Sequence, residues 1–157
     1  MMDAKTYLGK YADLDGKIKR YEERLAMVNA TLENKSTKLD GLPRGTKTSN
    51  PTEKAAIQLI ETKEKLQSYL LVAETMRQQI LDEIEMIPEP IYRELIYSRY
   101  ILLMTWEGVT DRVSDVRRTR RKGKGHSDER YSVSHVMGPM HGRALQSFET
   151  ILKNNIE

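Results

Sequence analysis

Apolar residues recur every three or four positions through the first quarter of the chain. The spacings alternate between four and three along one stripe: Tyr7, Tyr11, Leu14, Ile18, Tyr21, Leu25, Val28 and Leu32. The positions between them are mostly Lys, Arg, Glu and Asp. This spacing keeps one apolar seam turned towards a partner helix as two helices supercoil. The pattern therefore predicts a long helix that packs on another helix.

A second stripe follows after a stretch rich in Gly, Pro, Ser and Thr, about residues 33–51, which predicts a loop. The members of this stripe are Ala56, Leu59, Leu66, Leu70, Ala73, Ile80, Ile84 and Ile87. Two such helices joined by a loop fold most simply as an antiparallel coiled-coil hairpin, here residues 1–87. Three tyrosines make its seam bulky and incompletely apolar, which favours a homodimer that covers more of it.

Pro88 and Pro90 end the second helix, and residues 88–157 are predicted to form a small separate domain. Its first helix spans about residues 91–102, and Thr105 is a suitable N-cap for the second. Beyond Tyr131, a third helix has Val136, Met140, Leu145, Phe148 and Leu152 as its inward residues, while Trp106 belongs to the core. Pro139 should kink this third helix, because it removes a backbone donor. The predicted class is all-α: a long antiparallel coiled-coil hairpin followed by a small helix-turn-helix domain.

Composition and charge narrow the classes of function. The chain of 157 residues has no cysteine, which excludes disulfides and thiolate metal sites and fits a reducing cytoplasm. Its longest apolar run, residues 100–104, is far too short to span a membrane, so no membrane partner is predicted. Residues 1–100 carry 16 basic and 16 acidic side chains, whereas residues 101–157 carry 10 and 7. The excess of positive charge therefore lies in the C-terminal part, as in a protein that binds a polyanion.

One internal stretch, VRRTRRKGKG, contains six of these ten basic side chains and no acidic one. Its cations are Arg117, Arg118, Arg120, Arg121, Lys122 and Lys124. They predict a basic, flexible insertion over residues 116–130 whose cations contact DNA phosphates. The alternative is an unstructured loop that is basic because nothing opposes it.

Several short motifs in this region resemble phage transcriptional regulators of the RinA/ArpU type. The matching segments are Arg99-Tyr-Ile101, Thr105-Trp-Glu107 with Val109, Tyr131-Ser132, Val136 and His141-Gly-Arg-Ala-Leu145. Those proteins carry a helix-turn-helix similar to region 4 of sigma factors behind a long helical region. The resemblance covers about residues 91–152. It implies a sequence-specific DNA-binding transcriptional regulator, a phage or prophage late-gene activator in the cytoplasm of a bacterial host cell. Double-stranded DNA is the implied partner, and RNA polymerase is a further candidate.

A helix-turn-helix reads bases from the start of its third helix. Ser134 and His135 are accordingly the candidates for base contact, and Arg143 is a later contact to the DNA backbone. Two alternatives remain open: a phage small terminase subunit, which recruits a DNA-packaging motor, and a structural coiled-coil adaptor. No nucleophile with its base, no phosphate-binding glycine loop and no metal-ligand spacing occurs. The sequence therefore predicts neither an enzyme nor a cofactor or metal site.

Overall fold

The computed structural model describes residues 3–36, 51–121 and 130–155. The helices are α1 (Ala4–Ser36), α2 (Pro51–Glu85), α3 (Pro90–Ile96), α4 (Trp106–Arg121), α5 (Val133–His135) and α6 (His141–Asn154). Two π-helical segments, π1 (Tyr97–Ile101) and π2 (Val136–Met140), extend α3 and join α5 to α6. These described residues contain no strand, so the predicted all-α class is confirmed. No helix among them has both the length and the apolar character needed to cross a membrane.

The chain divides into two compact units. Met1–Asp13 and Thr75–Glu157 form the first unit, and Leu14–Glu74 form the second. The predicted boundary between residues 87 and 88 does not match this division. The reason is that the beginning of α1 and the end of α2 carry side chains that join the core of the C-terminal helices. The predicted loop also differs at its start, because α1 continues to Ser36; residues 37–50 lie outside the described part of the chain.

The core of the first unit draws on every long helix of the chain. Its buried side chains are Ala4 and Leu8 of α1, Ile80, Ile84 and Ile87 near the end of α2, Leu95 and Ile96 of α3, Val109 and Val113 of α4, and Val136, Met140, Ala144 and Phe148 beyond them. Trp106, Leu145 and Leu152 are partly buried and pack against this core. The predicted inward face of the third helix and the core role of Trp106 are therefore confirmed. Each large apolar side chain buried in this way contributes roughly 1.5–3 kcal/mol.

One carboxyl group lies in that core. The Tyr7 hydroxyl donates to Glu83 Oε1 over 3.2 Å, and the Gln79 amide donates to the same oxygen over 3.4 Å. Glu83 Oε2 is buried and has no hydrogen-bond partner among the described residues. Burial raises the pKa of Glu83, although the two hydrogen bonds oppose the rise. Burial and the neighbouring Glu83 also raise the pKa of the Tyr7 phenol.

In the second unit both long helices bury one stripe. On α1, Leu14 and Ile18 are buried and the later seam residues are partly buried, as the spacing predicts. On α2 the stripe consists of Ala55, Leu59, Thr62, Leu66, Tyr69 and Ala73, again at alternating spacings of four and three. The predictions of Ala56 and Leu70 as seam residues were wrong, since both are exposed. Neighbouring positions, with a threonine and a tyrosine among them, face inward instead.

A tight turn positions α4 after π1. Leu103 adopts a left-handed backbone conformation (φ 52°), and the Arg99 guanidinium holds the turn by donating to the Met104 carbonyl over 2.7 Å. Arg99 also stacks on Trp106, with its guanidinium carbon 4.6 Å from the ring centroid. The Thr105 hydroxyl accepts the Gly108 amide over 3.4 Å, which confirms Thr105 as the N-cap of α4.

The third helix continues past Pro139 because it forms a π turn there. In π2 the His141 amide donates to the Val136 carbonyl, five residues back, and the backbone on both sides stays right-handed helical. Proline in a regular α-helix removes a donor and clashes with the carbonyl four residues before it. A wider π turn relieves that clash. The helix therefore continues from Val133 to Asn154.

Candidate nucleic-acid interface

The predicted basic insertion is helical in its first part. Residues 116–121 form the last turns of α4, where a flexible loop was expected. The apolar spacing explains this correction, since Val116 follows Val109 and Val113 at the 4-3 interval, and arginine is a good helix former. The side chain of Arg121 and the whole of Lys122 and Lys124 lie outside the described part.

One aromatic ring brings two separately predicted site residues together. The Arg117 guanidinium carbon lies 4.5 Å from the centroid of the Tyr131 ring. On the same ring, His135 stacks with a centroid separation of 5.7 Å and an interplanar angle of 11°. The Tyr131 amide donates to the Ser114 hydroxyl over 3.2 Å, which anchors the ring beside α4. Arg117, Tyr131 and His135 form what we call the Tyr131 stack. Sequence analysis did not single out Tyr131 as a site residue.

Ser132 caps the start of the third helix. The Ser132 hydroxyl accepts the His135 amide over 3.3 Å and lies 3.3 Å from the Ser134 hydroxyl. The cap satisfies a backbone donor that the helix cannot satisfy itself. It also fixes the first turn of the helix relative to Ser132. The Ser134 and His135 side chains are both exposed on this turn.

The other described arginines of α4 form ion pairs within the protein. Arg118 pairs with Asp115, and Arg120 pairs with Glu89 over 2.6 Å. The two arginines are two residues apart, so their side chains leave nearly opposite sides of the helix. The structure therefore places Arg117 beside His135 and does not gather Arg118 and Arg120 into the same group. Exposed pairs of this kind contribute only about 0–1 kcal/mol.

Arg143 lies on α6, further along the third helix than Ser134 and His135. It is exposed and makes no ion pair within the described residues. Between His135 and Arg143 the exposed surface includes Gly138 and Gly142, and a Cβ added at either glycine would meet nothing within 4 Å. Internal packing therefore does not require glycine at these two positions. Without side chains there, another molecule can approach this part of the helix backbone closely.

The other histidine of the third helix has a structural role. Whereas His135 is exposed, His141 is partly buried. Its ring stacks on Tyr100 at 5.9 Å and meets Trp106 edge-on at 5.0 Å. Burial lowers the pKa of His141, and the positive charges of Lys5 and Arg99 lower it further. The spacing of His135 and His141 in the sequence could not predict that His141 is buried, because the π turn between them changes which residues share a face of the helix.

The described residues contain no group of three or more His, Asp or Glu side chains able to hold a metal ion. The Tyr131 stack and the neighbouring Ser132 and Ser134 offer cationic, aromatic and hydroxyl groups that another molecule can contact. Comparisons with protein-family models, with curated proteins and with solved structures return no match to this chain.

Proposed function

We propose that the chain is a sequence-specific DNA-binding regulator of transcription, with the helix from Val133 to Asn154 as its recognition helix. The Tyr131 stack is the observation that supports this most. It joins a cation from α4 to a polar side chain on the first turn of the third helix. Recognition helices contact base edges from this turn, while neighbouring cations contact phosphates.

In the proposed helix-turn-helix, α3 with π1 packs across the unit, α4 supports, and the third helix enters the major groove. Ser134 and His135 then contact base edges, and Arg117 and Arg143 contact the DNA backbone on either side of them. Arg118 and Arg120 reach phosphates by exchanging Asp115 and Glu89 for the DNA. The cost of that exchange is small, because both pairs are exposed. Arg121, Lys122 and Lys124 complete the proposed set of cations.

We further propose that α1 and α2 form an antiparallel coiled-coil hairpin. Both helices bury a stripe with the 4-3 spacing of coiled coils. The two helices also contact one another within each unit. In the first unit the Tyr7 hydroxyl donates to Glu83, and in the second unit the rings of Tyr21 and Tyr69 lie 5.2 Å apart, centroid to centroid.

The test is selection of bound duplexes from a random pool with the full chain at low salt. We expect enrichment of one sequence, and binding that weakens as salt rises. Arg143→Gln should weaken binding and reduce its dependence on salt. Lys153→Gln is the matched control, because Lys153 is an exposed cation on the same helix, more than two turns further on. Failure to enrich any duplex would contradict the proposal, as would equal effects of the two substitutions.

A further inference from the structure

Glu83 is a buried carboxyl group that the proposed function does not use. It is only 6% exposed. Its Oε1 accepts the Tyr7 hydroxyl and the Gln79 amide, but its Oε2 has no hydrogen-bond partner among the described residues. A buried carboxylate needs partners for both oxygens or a cation beside it, because a charge costs far more to remove from water than a neutral group. The neutral carboxyl therefore fits this site better than the carboxylate does.

The groups around Glu83 do not compensate a negative charge. On α2 the neighbouring Asp82 is itself acidic, and Gln79 is neutral. On α1 the Tyr7 phenol stays neutral, because its pKa is raised, and on α6 the charged residue nearest to this part of α1 is Glu149, which is also acidic. Burial raises the pKa of Glu83 and the charge of Asp82 raises it further, whereas the two hydrogen bonds lower it. Within the described residues, the side chains that shift this pKa are thus neutral or acidic.

The hydrogen bond to Glu83 is one of three contacts that hold the start of α1. The Ala4 amide donates to Glu149 Oε1 on α6 over 3.4 Å. The Tyr7 ring packs against the Phe148 ring with centroids 6.1 Å apart, while the Tyr7 hydroxyl reaches Glu83 on α2 over 3.2 Å. Glu83 therefore lies where the start of α1 joins both α2 and α6.

We infer that Glu83 is a pH-sensitive switch: the neutral carboxyl holds the start of α1, Ala4–Leu8, against α2 and α6, and loss of its proton releases this segment. Release opens the side of Glu83 that Tyr7 now covers, so that water can reach the carboxylate. Gly9 follows the segment directly, and glycine weakens a helix, so release does not require the rest of α1 to unfold. The switch does not depend on DNA binding.

The direction of the pH dependence follows from the raised pKa of Glu83. The released segment leaves Glu83 near its ordinary pKa of 4.5, whereas the docked segment keeps the pKa above that value. The contribution of Glu83 to docking is therefore full below pH 4.5. It is lost as the pH rises through the raised value, because the docked state alone then has to retain or give up a proton.

Amide hydrogen exchange of the full chain, corrected for its intrinsic dependence on pH, tests the switch. Opening at the Tyr7 and Leu8 amides should increase about tenfold for each pH unit above about pH 5, until it levels off at the pKa of docked Glu83. Glu83→Gln keeps a neutral side chain of the same shape and should abolish this increase. Glu85→Gln is the matched control, because Glu85 is exposed on the same helix, and it should keep the increase. His141 is present in all three chains, so its own titration cancels.

The extent of the opening distinguishes the switch from unfolding of the whole unit. The Tyr7 and Leu8 amides should open more often than the Val113 amide in the core of α4, and low urea should change their opening little, because release exposes little surface. Equal opening and equal urea dependence at these amides would overturn the inference. So would an increase with pH that persists in Glu83→Gln, or a wild-type chain without the increase.

Two further measurements do not depend on the stability of Glu83→Gln. The carboxyl carbon resonance of Glu83 in the wild-type chain should titrate above 4.5, and titration at 4.5 would overturn the inference. In Gly9→Ala the added Cβ meets nothing within 4 Å. This substitution should reduce opening at every pH and keep its dependence on pH, because it stabilises the helix without changing Glu83. Loss of the pH dependence in Gly9→Ala would contradict the assignment to Glu83.

Discussion

The hydroxyl of Tyr100 lies 2.9 Å from Nε2 of His141, and this hydrogen bond joins π1 to the first turn of α6. A backbone hydrogen bond with Met137 holds the same imidazole and raises its pKa, but burial dominates and lowers it. The folded chain therefore favours the neutral ring. In that form Nε2 can accept a hydrogen bond from the Tyr100 hydroxyl, while the other ring nitrogen carries the hydrogen that bonds the Met137 backbone.

The first prediction concerns pH. The pKa of His141 is lowered from 6.5 in the folded chain, so the unfolded chain takes up this proton at higher pH. The contribution of His141 to stability is therefore full above pH 6.5 and falls as the pH drops towards the lowered pKa. The contribution of Glu83 to stability changes in the opposite direction with pH, because its pKa is raised in the folded chain. The contribution of His141 is thus measured as the difference between wild type and His141→Gln in denaturation from about pH 5 to about pH 8. His135→Gln is the exposed control. A difference that does not change with pH would contradict the prediction.

The second prediction concerns the hydrogen bond itself. Tyr100→Phe keeps the buried ring and removes only the hydroxyl. We expect a loss of about 0.5–1.5 kcal/mol in the free energy of unfolding at about pH 7, the usual net contribution of one hydrogen bond. Tyr92→Phe provides a control, since Tyr92 has the same side chain on α3 and no side-chain hydrogen bond is seen there among the described residues. Equal losses in the two variants would show that the Tyr100–His141 hydrogen bond adds nothing measurable to the free energy of unfolding.

The third prediction concerns the second unit. Ile18 is buried on the α1 stripe, so Ile18→Asp should cost several kcal/mol by burying an unpaired charge. Circular dichroism should record lower helicity and a lower melting temperature. Met27→Asp introduces the same charge at an exposed site on the same helix and should change both quantities little. Unchanged melting of Ile18→Asp would mean that the stripe is not packed in solution.

The fourth prediction concerns base reading under the proposed function. Replacing Ser134 and His135 together by Ala should lower affinity for the selected duplex by roughly 1–3 kcal/mol for each base that is no longer read. Affinity for a scrambled duplex should change little. The Ser132 cap remains, so the helix start should survive. If specific and scrambled duplexes weaken equally in a binding titration, these residues do not read sequence.

The fifth prediction separates phosphate binding from internal ion pairs. Gln at Arg117, Arg118, Arg120 and Arg121 should weaken binding to every duplex and flatten the slope of log affinity against log salt by about 0.9 for each phosphate that is no longer neutralised. Glu89→Gln should instead strengthen binding to every duplex and leave the salt slope unchanged, because it releases Arg120 from its pair without adding a phosphate contact. Glu85→Gln, which removes a carboxylate paired with Arg93 instead, is the control. A lower melting temperature with an unchanged salt slope would assign these arginines to stability alone.

The helices could be predicted from the sequence where one face alone is apolar. The α1 stripe beyond Asp13 is such a case, because Leu14 and Ile18 are buried as predicted. Nearer the start of α1, Leu8 is fully buried although it lies outside the predicted stripe, because the core of the first unit includes it. The first half of α2 is different, because it is apolar on two faces. Ala55 and Ala56 are adjacent, and Ile57, Ile60 and Leu70 stand outside the stripe that is buried. Periodicity alone could not choose between these faces, and packing against α1 favoured the one that contains Thr62 and Tyr69.

The candidate site was predictable in its residue types and less so in its geometry. Ser132 as a cap and Thr105 as a cap follow from local chemistry, and both are present. The helical state of residues 116–121 was missed because charge suggested a loop, although Val116 continues the apolar spacing of α4. The position of Tyr131 between Arg117 and His135 depends on how α4 packs on the third helix. Packing between elements of this kind leaves no periodic trace in the sequence.

The π turn at Val136–Met140 has a consequence for how this helix can change in length. A π turn holds one residue more than the α-helical turn it replaces, because its hydrogen bonds span five residues and not four. Deleting Pro139 would therefore convert the turn to regular α-helix while Ser134 and Phe148 keep the sides they now face. Deleting a residue elsewhere, such as Gln146, would rotate everything beyond it by about 100° and turn Phe148 out of the core. The exposed side chain of Ser134 and the buried side chain of Phe148 are thus separated by a segment that can be shortened by a residue without changing their relative phase around the helix.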